Sequence, residues 1–321
     1  MHIGFYSSST PITAISQQRF ERAKRFLAAK GVALTAGSLT KKSDFYRSGT
    51  IRQRANEINE LIYNPEIDVI MSTIGGTNTN SILPYIDYEY LKHHPKTFVG
   101  YSDTTALLLA IKKMAPTCRV LYGPALVASF GESESFVEET WAAFYKVYSA
   151  TYNTVVELTA PRFWSDDQAN WEEYEHQKIK KVNAWHAINC STLEGRVIGG
   201  NLNTIYGILA SKYFPDLTND NILFIEDAEK DAATIEKNFA MLKNADIFTK
   251  VKGIVLGKHA LFDDLGSKKQ PIDILQEVLN DTTMPIIYNY DSCHTIPMLT
   301  TPLGARAIFN ATKMKVEFSD F

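Results

Sequence analysis

At 321 residues the chain is long enough for two domains with a substantial core. Hydrophobic residues at 45% and charged residues at 21% are ordinary for a globular protein, and a formal net charge of -3 leaves no basic footprint for nucleic acid. Cys118, Cys190 and Cys293 have no paired spacing, which argues against a disulfide framework and a zinc site, and no apolar run reaches membrane-spanning length.

Residues 3–6 read as a buried strand that runs into the hydroxyl-rich loop Ser7-Ser8-Ser9-Thr10-Pro11. No signal-peptide pattern opens the chain, because Met1-His2-Ile3-Gly4-Phe5-Tyr6 lacks a basic n-region, so a cytoplasmic location is expected. Residues 18–30 carry Phe20, Ala23, Phe26 and Leu27 at helical spacing and stop at Gly31. A strand at 32–35 and a helix at 51–64 follow, the helix with Ala55, Ile58, Leu61 and Ile62 on one face. A strand at 68–73 leads to Gly75-Gly76-Thr77-Asn78, and further strands fall at 97–100 and 119–122. Strands alternating with helices imply a mostly parallel, Rossmann-like sheet whose ligand-binding loops lie at the carboxyl ends of its strands.

Between those last two strands stands Gly100-Tyr101-Ser102-Asp103-Thr104-Thr105, followed by an apolar run to Ile111. A strand thus ends in a tight turn that opens a helix, with Ser102 at the N-terminus, where free N–H groups and the dipole favour a developing anion. The arrangement is that of a nucleophile elbow, with Thr104 in place of the second glycine. The alternative is that Ser102, Asp103 and Thr104 simply cap the helix.

From about residue 135 the pattern weakens: a helix at 135–149 precedes a polar, aromatic connection. Residues 1–150 are expected to form the domain with the nucleophile, 151–180 the connection, and 181–321 a C-terminal mixed α/β, barrel-like domain. In the latter, strands are expected at 195–199, 221–225, 253–256 and 285–288, helices at 231–242 and 272–279, and a hairpin over 306–318. Gly200-Asn201-Leu202-Asn203 reads as a turn into a helix ending near Ala210.

A nucleophilic serine needs a base, and the base needs an orienting acid. His2, the pair His93-His94, His176 and His186 sit on a strand, in a polar turn, in a charged stretch and in the connection. His259 and His294 both follow strands, and position alone leaves them as equal alternatives. Glu226 and Asp227 stand at the mouth of the apolar strand Ile222-Leu223-Phe224-Ile225, where one can orient a histidine while the other caps the next helix.

Four separated motifs point further: Ser72-Thr73-Ile74-Gly75-Gly76; Gly100-Tyr101-Ser102-Asp103-Thr104-Thr105; Gly199-Gly200-Asn201-Leu202 with Leu223-Phe224-Ile225-Glu226-Asp227; and Cys293-His294-Thr295 followed by Pro302-Leu303-Gly304. In order and spacing the chain resembles the LD-carboxypeptidase family of serine peptidases. The resemblance implies a catalytic triad of Ser102, His294 and Glu226, and an oxyanion hole from the backbone N–H groups of Asp103 and Gly76. It further implies no cofactor or metal, a site between two domains, and a homodimer.

Within the family, Gly75-Gly76-Thr77-Asn78, Tyr85-Ile86-Asp87-Tyr88 and His294-Thr295-Ile296-Pro297-Met298 look more like the microcin C self-immunity branch. That branch hydrolyses the acyl-amide or phosphoramidate link of aminoacyl-nucleotide antibiotics. The other branch trims murein tetrapeptides, and a non-catalytic small-molecule binder is the third reading. Gly75, Asn201 and Asn203 are expected to bind substrate, and Lys230, four residues past Glu226, to meet a substrate carboxylate or phosphate, with an exposed first-turn lysine as the alternative. The resemblance also implies a tryptophan that stacks a nucleobase; Trp185 is the first candidate, ahead of Trp164 and Trp171, with packing beneath a loop as its alternative.

Overall fold

The structure is a computed structural model and describes residues 1–132, 134–167, 171–172 and 178–321; among the candidate histidines, His176 lies outside them. Five strands, β1 (His2–Tyr6), β2 (Ala33–Ala36), β3 (Val69–Ser72), β4 (Thr97–Gly100) and β5 (Arg119–Tyr122), form a parallel sheet in the order β5-β4-β3-β1-β2. Val69–Ser72 is buried at every position, as expected of a parallel strand covered on both faces. The helix Ile51–Tyr63 starts in a capping box: the Thr50 hydroxyl accepts from the Gln53 N–H at 3.3 Å, and the Gln53 side chain accepts from the Thr50 N–H at 2.9 Å.

The second sheet has eight strands: β6 (Val156–Thr159), β9 (His186–Ile188), β10 (Thr192–Asn201), β11 (Asn221–Glu226), β12 (Gly253–Gly257), β13 (Ile286–Tyr290), β15 (Arg306–Asn310) and β16 (Lys315–Ser319). Its centre, β10-β11-β12-β13, is parallel, and antiparallel strands flank it on both sides. The strands numbered between, β7 (Phe163–Trp164) with β8 (Lys181–Val182), form a separate two-stranded ribbon, while β14 (Thr301–Pro302) crosses back to pair with β5.

Two features differ from the sequence reading. Residues 151–180 were expected only to connect, yet they supply β6 to the second sheet, with Val156 and Leu158 inward and Glu157 outward. Four residues of alternation are too short a signal to stand out from a polar neighbourhood. The first sheet likewise takes an edge strand, β14, from the far end of the chain.

The helix Thr105–Met114 lies between the halves, against β4 and β5 on one side and β10 and the helix Leu202–Tyr206 on the other. Its residues 105 to 111 are all buried, which is why the run Leu107-Leu108-Leu109 shows no polar face. Each buried leucine contributes about 1.5–3 kcal/mol of transfer free energy. The helix ends at Ala115, ahead of Pro116. No helix among the described residues is long and apolar enough to cross a membrane.

Candidate active site

The carboxyl ends of β3, β4 and β11 converge on a cavity of about 390 Å³ lined by Gly75, Gly76, Ser102, Asp103, Asn201 and His294, with Trp171, Asn203 and Lys230 also in its wall. Ser102 has φ of +60°, the left-handed conformation that a serine adopts only when its surroundings hold it there. No side-chain cap bond forms at the start of the 3₁₀ turn Ser102–Thr104 or of the helix after it. The capping alternative therefore does not account for these residues. The Asp103 carboxylate instead accepts the Thr79 N–H at 2.9 Å, tying the elbow to the segment that follows Gly75-Gly76. Burial pushes this carboxyl above its ordinary range.

Gly75 is packed directly on the elbow. A Cβ there would stand 2.8 Å from Ser102 Oγ and 3.0 Å from the Asp103 nitrogen, so only glycine leaves both open to a ligand. The turn is held from behind: Ser9 Oγ accepts the Thr77 N–H at 2.9 Å, and the Thr10 N–H donates to the Gly75 carbonyl at 3.3 Å.

His294 comes from the loop after β13, and its Nδ1 lies 2.6 Å from Glu226 Oε2. Burial pulls the imidazole pKa down, but the charge and hydrogen bond of Glu226 outweigh it and leave it above the ordinary value. Glu226 is fully buried at the end of β11. Burial would raise its pKa; the charge of His294, with hydrogen bonds from His294, Tyr122 and Asn201, holds it below the usual range. Its neighbour Asp227, buried beside that charge, is pushed up to about 6.

His259 is placed differently. It does not line the cavity, its Nδ1 faces the Gly257 carbonyl at 3.2 Å, and burial lowers its pKa to about 4. The structure thus brings His294, not His259, to the buried acid.

Trp185 needs a correction. It is 5% exposed, its ring packs edge-on against Tyr290, and its Nε1–H donates to Asp291 at 2.6 Å. Its indole N–H requires a buried acceptor, and the loop carrying His294 provides one, so the ring has no face open to the cavity. Trp171 is the tryptophan that lines the cavity, with the Arg19 guanidinium 4.2 Å from its ring centroid. Trp164 instead faces the ammonium groups of Lys181 and Lys258.

Asn201, expected to bind substrate, lines the cavity and bonds to the acid pair behind it. Its Nδ2 donates to Glu226 Oε1 at 3.1 Å and Asp227 Oδ1 at 3.2 Å, while its Oδ1 accepts from the Thr204 backbone and hydroxyl at 3.0 Å each. One end of the amide thus holds the acids while the other caps the helix Leu202–Tyr206. Asn203 and Lys230 do line the cavity, and no other described residue bonds to the Lys230 ammonium. Sequence reasoning missed Tyr122 and Arg19; the place of Tyr122 at the carboxyl end of a parallel strand was the available signal. No cluster of three or more metal-ligating side chains occurs among the described residues.

The LD-carboxypeptidase N-terminal domain matches residues 3–123, and the LD-carboxypeptidase C-terminal domain matches residues 194–309. The chain belongs to the LD-carboxypeptidase family. Membership makes it a serine-type hydrolase, in keeping with the Ser102 elbow. Among LD-carboxypeptidase relatives, the microcin C7 self-immunity protein MccF of Escherichia coli is 47% identical over 324 residues, covering 99% of this chain and 93% of MccF. A Vibrio cholerae protein named as a carboxypeptidase is 49% identical over 304 residues, 95% of this chain and 90% of that one. The murein tetrapeptide carboxypeptidase of Pseudomonas aeruginosa is 22% identical over 320 residues, 95% and 92% of the two chains. MccF solved in complex with aspartyl sulfamoyl adenosine superposes with a TM-score of 0.96 at 46% identity, covering 100% of this chain and 96% of that one. MccF has also been solved with glutamyl sulfamoyl guanosine and, as a tryptophan-to-phenylalanine mutant, with adenosine monophosphate.

Proposed function

We propose that this LD-carboxypeptidase hydrolyses the acyl-amide or phosphoramidate bond of microcin C-like aminoacyl-nucleotides, using Ser102, His294 and Glu226 as its triad. The observation that carries the reading is one cavity that joins the Ser102 elbow and the Glu226-bonded His294 to the Trp171 ring, on which the Arg19 guanidinium stacks. An aromatic plate with a guanidinium on one face can take a stacked base on the other. The high identity to MccF, against low identity to the murein enzyme, supports the same choice.

In this mechanism His294 Nε2 takes the Ser102 hydroxyl proton as Oγ attacks the scissile carbonyl, while Glu226 holds Nδ1–H and stabilises the imidazolium. The N–H groups of Asp103 and Gly76 receive the oxyanion. His294 then returns the proton to the departing nitrogen, leaving an acyl-serine and the free nucleotide amide. Water, deprotonated by the same histidine, attacks the acyl carbon, and His294 returns that proton to Ser102 Oγ as the ester bond breaks and the aminoacyl group leaves as its free acid. Asn203 and Lys230, with Gly75 at the elbow, form the subsite for the acyl portion. A cytoplasmic homodimer without cofactor completes the reading, carried over from the family resemblance.

The test is a parallel hydrolysis screen of an aminoacyl-nucleotide phosphoramidate and a murein tetrapeptide, with wild type and Ser102→Ala. Wild type is expected to cleave the conjugate much faster, and Ser102→Ala to lose on the order of 10³-fold or more. Preferential release of terminal D-alanine would move the protein to the murein branch. More than about a tenth of wild-type rate in Ser102→Ala would remove the serine from the mechanism.

A further inference from the structure

One buried group contacts two parts of the proposed triad and has no role in the steps above. Tyr122 ends β5 in the first sheet and is fully buried. Its hydroxyl accepts the backbone N–H of Ser102 at 3.1 Å and donates to Glu226 Oε1 at 2.5 Å. The ring is fixed by edge-on contacts with Phe224, at 5.2 Å between centroids, and Tyr101, at 6.5 Å. Gly200, at φ +147°, makes room for it, since a Cβ there would stand 3.0 Å from Tyr122 Cε2. The phenol therefore spans from the strand beside the nucleophile to the acid on the other sheet.

We propose that Tyr122 is a positioning residue that sets the Ser102 elbow and the charge of Glu226 together, through one hydroxyl shared between them. This rests on the triad reading given above. Two consequences follow from the bonds. The Ser102 N–H points at the phenol oxygen, so it is not an oxyanion donor, and that task falls to the N–H groups beyond it. The Glu226 anion is shared between His294 and the phenol, and with Asn201, so the phenol limits how strongly Glu226 holds a proton on His294. Burial and the adjacent carboxylate keep the phenol protonated well beyond its ordinary range, so it remains a donor at any working pH. The other ionisable groups facing this set are Asp227 beside Glu226, Glu229 and His259 near the histidine, and Cys293 next to it in the chain. None of them bonds to Tyr122 among the described residues.

The experiment is kinetics across pH for Tyr122→Phe and for a protein carrying 3,5-difluorotyrosine at 122, with Ser102→Ala alongside. Tyr122→Phe is expected to lower kcat roughly 10- to 100-fold, the scale of one hydrogen bond to a charged group, with KM nearly unchanged. Without the phenol, the Glu226 charge is concentrated toward His294, the imidazolium is stabilised, and the acid limb of kcat/KM moves to higher pH. Difluorotyrosine is a stronger donor of the same shape and should move that limb the opposite way, which keeps the proposal testable if the phenylalanine variant folds poorly. An acid limb that stays put in both proteins overturns it, whatever happens to the melting temperature. Inactive Ser102→Ala with Tyr122→Phe like wild type would discard Tyr122 and keep the triad, whereas active Ser102→Ala would discard the triad itself.

Discussion

Two tryptophans show how little a residue type says until its neighbours are known. Trp171 and the Arg19 guanidinium stacked on its ring both line the cavity, and the Trp171 carbonyl is clamped by Arg22 at 2.9 Å. Trp185 is held in the core by Asp291 and Tyr290. Trp171→Ala should therefore raise KM for an aminoacyl-nucleotide by about tenfold, from the loss of about 1–3 kcal/mol of base stacking, and leave kcat on a substrate without a ring unchanged. Trp185→Ala should lower the melting temperature and impair both substrates alike. Steady-state kinetics on the two substrates, with calorimetry, decide the matter. An unchanged KM in Trp171→Ala would leave the cavity without a stacking plate.

At the scale of elements, the turn beside the nucleophile is only as firm as what lies beneath it. The helix Ile51–Tyr63 sends Glu57 under the loop after β1, where its carboxylate accepts the Ser7 N–H at 3.0 Å and the Leu39 N–H at 2.8 Å. Arg54 from the same helix donates to the Gly49 carbonyl at 3.0 Å, to the Ser8 carbonyl and to Asn78 Oδ1 at 2.7 Å. One helix face thereby holds the loop whose Ser9 and Thr10 support Gly75-Gly76. Burial pushes the Glu57 carboxyl up to about 7 from an ordinary 4.5. Between those values the folded state binds more protons than the unfolded state, so the contribution of Glu57 to stability falls as pH rises through the window. Chemical denaturation at several pH values from about 4.5 to about 7.5 should show a steeper decline for wild type than for Glu57→Gln. Parallel slopes would mean that Glu57 titrates as it does in the unfolded chain.

Across the whole molecule, the connection and the loop of the histidine are locked together by a buried charge pair. Asp291, fully buried, accepts from Trp185, from Asn183 Nδ2 at 2.9 Å and from Lys258 Nζ at the end of β12. Ser165 and Ile296 add a two-way backbone bridge at 2.8 and 2.9 Å. Removing the acid would strand the Lys258 ammonium, which is 5% exposed, away from water. Asp291→Asn should accordingly cost about 3–5 kcal/mol in unfolding free energy, measured by denaturant titration. A loss below about 1 kcal/mol would mean that the cluster relaxes or admits water.

The residues of the proposed site were legible along the chain wherever local chemistry leaves a local mark. A strand, a glycine and a serine ahead of an apolar helix mark a tight strand-to-helix turn, and Glu226 closes a strand too apolar to be anything but buried. The parallel strands and the terminal hairpin were legible for the same reason, since burial on both faces and period-two alternation are written in consecutive residues. Local pattern alone did not choose the histidine, because His259 and His294 follow similar strands and differ in which one reaches Glu226 across the fold; only the family resemblance pointed to His294. Not legible either were Tyr122, which is 20 residues from Ser102 and 104 from Glu226, and the exchange of Trp185 for Trp171 at the cavity. Sequence determines what each segment can be, through periodicity and backbone chemistry. Which polar groups find each other depends on packing between segments far apart in the chain, and there each buried donor takes whichever acceptor the fold brings within reach.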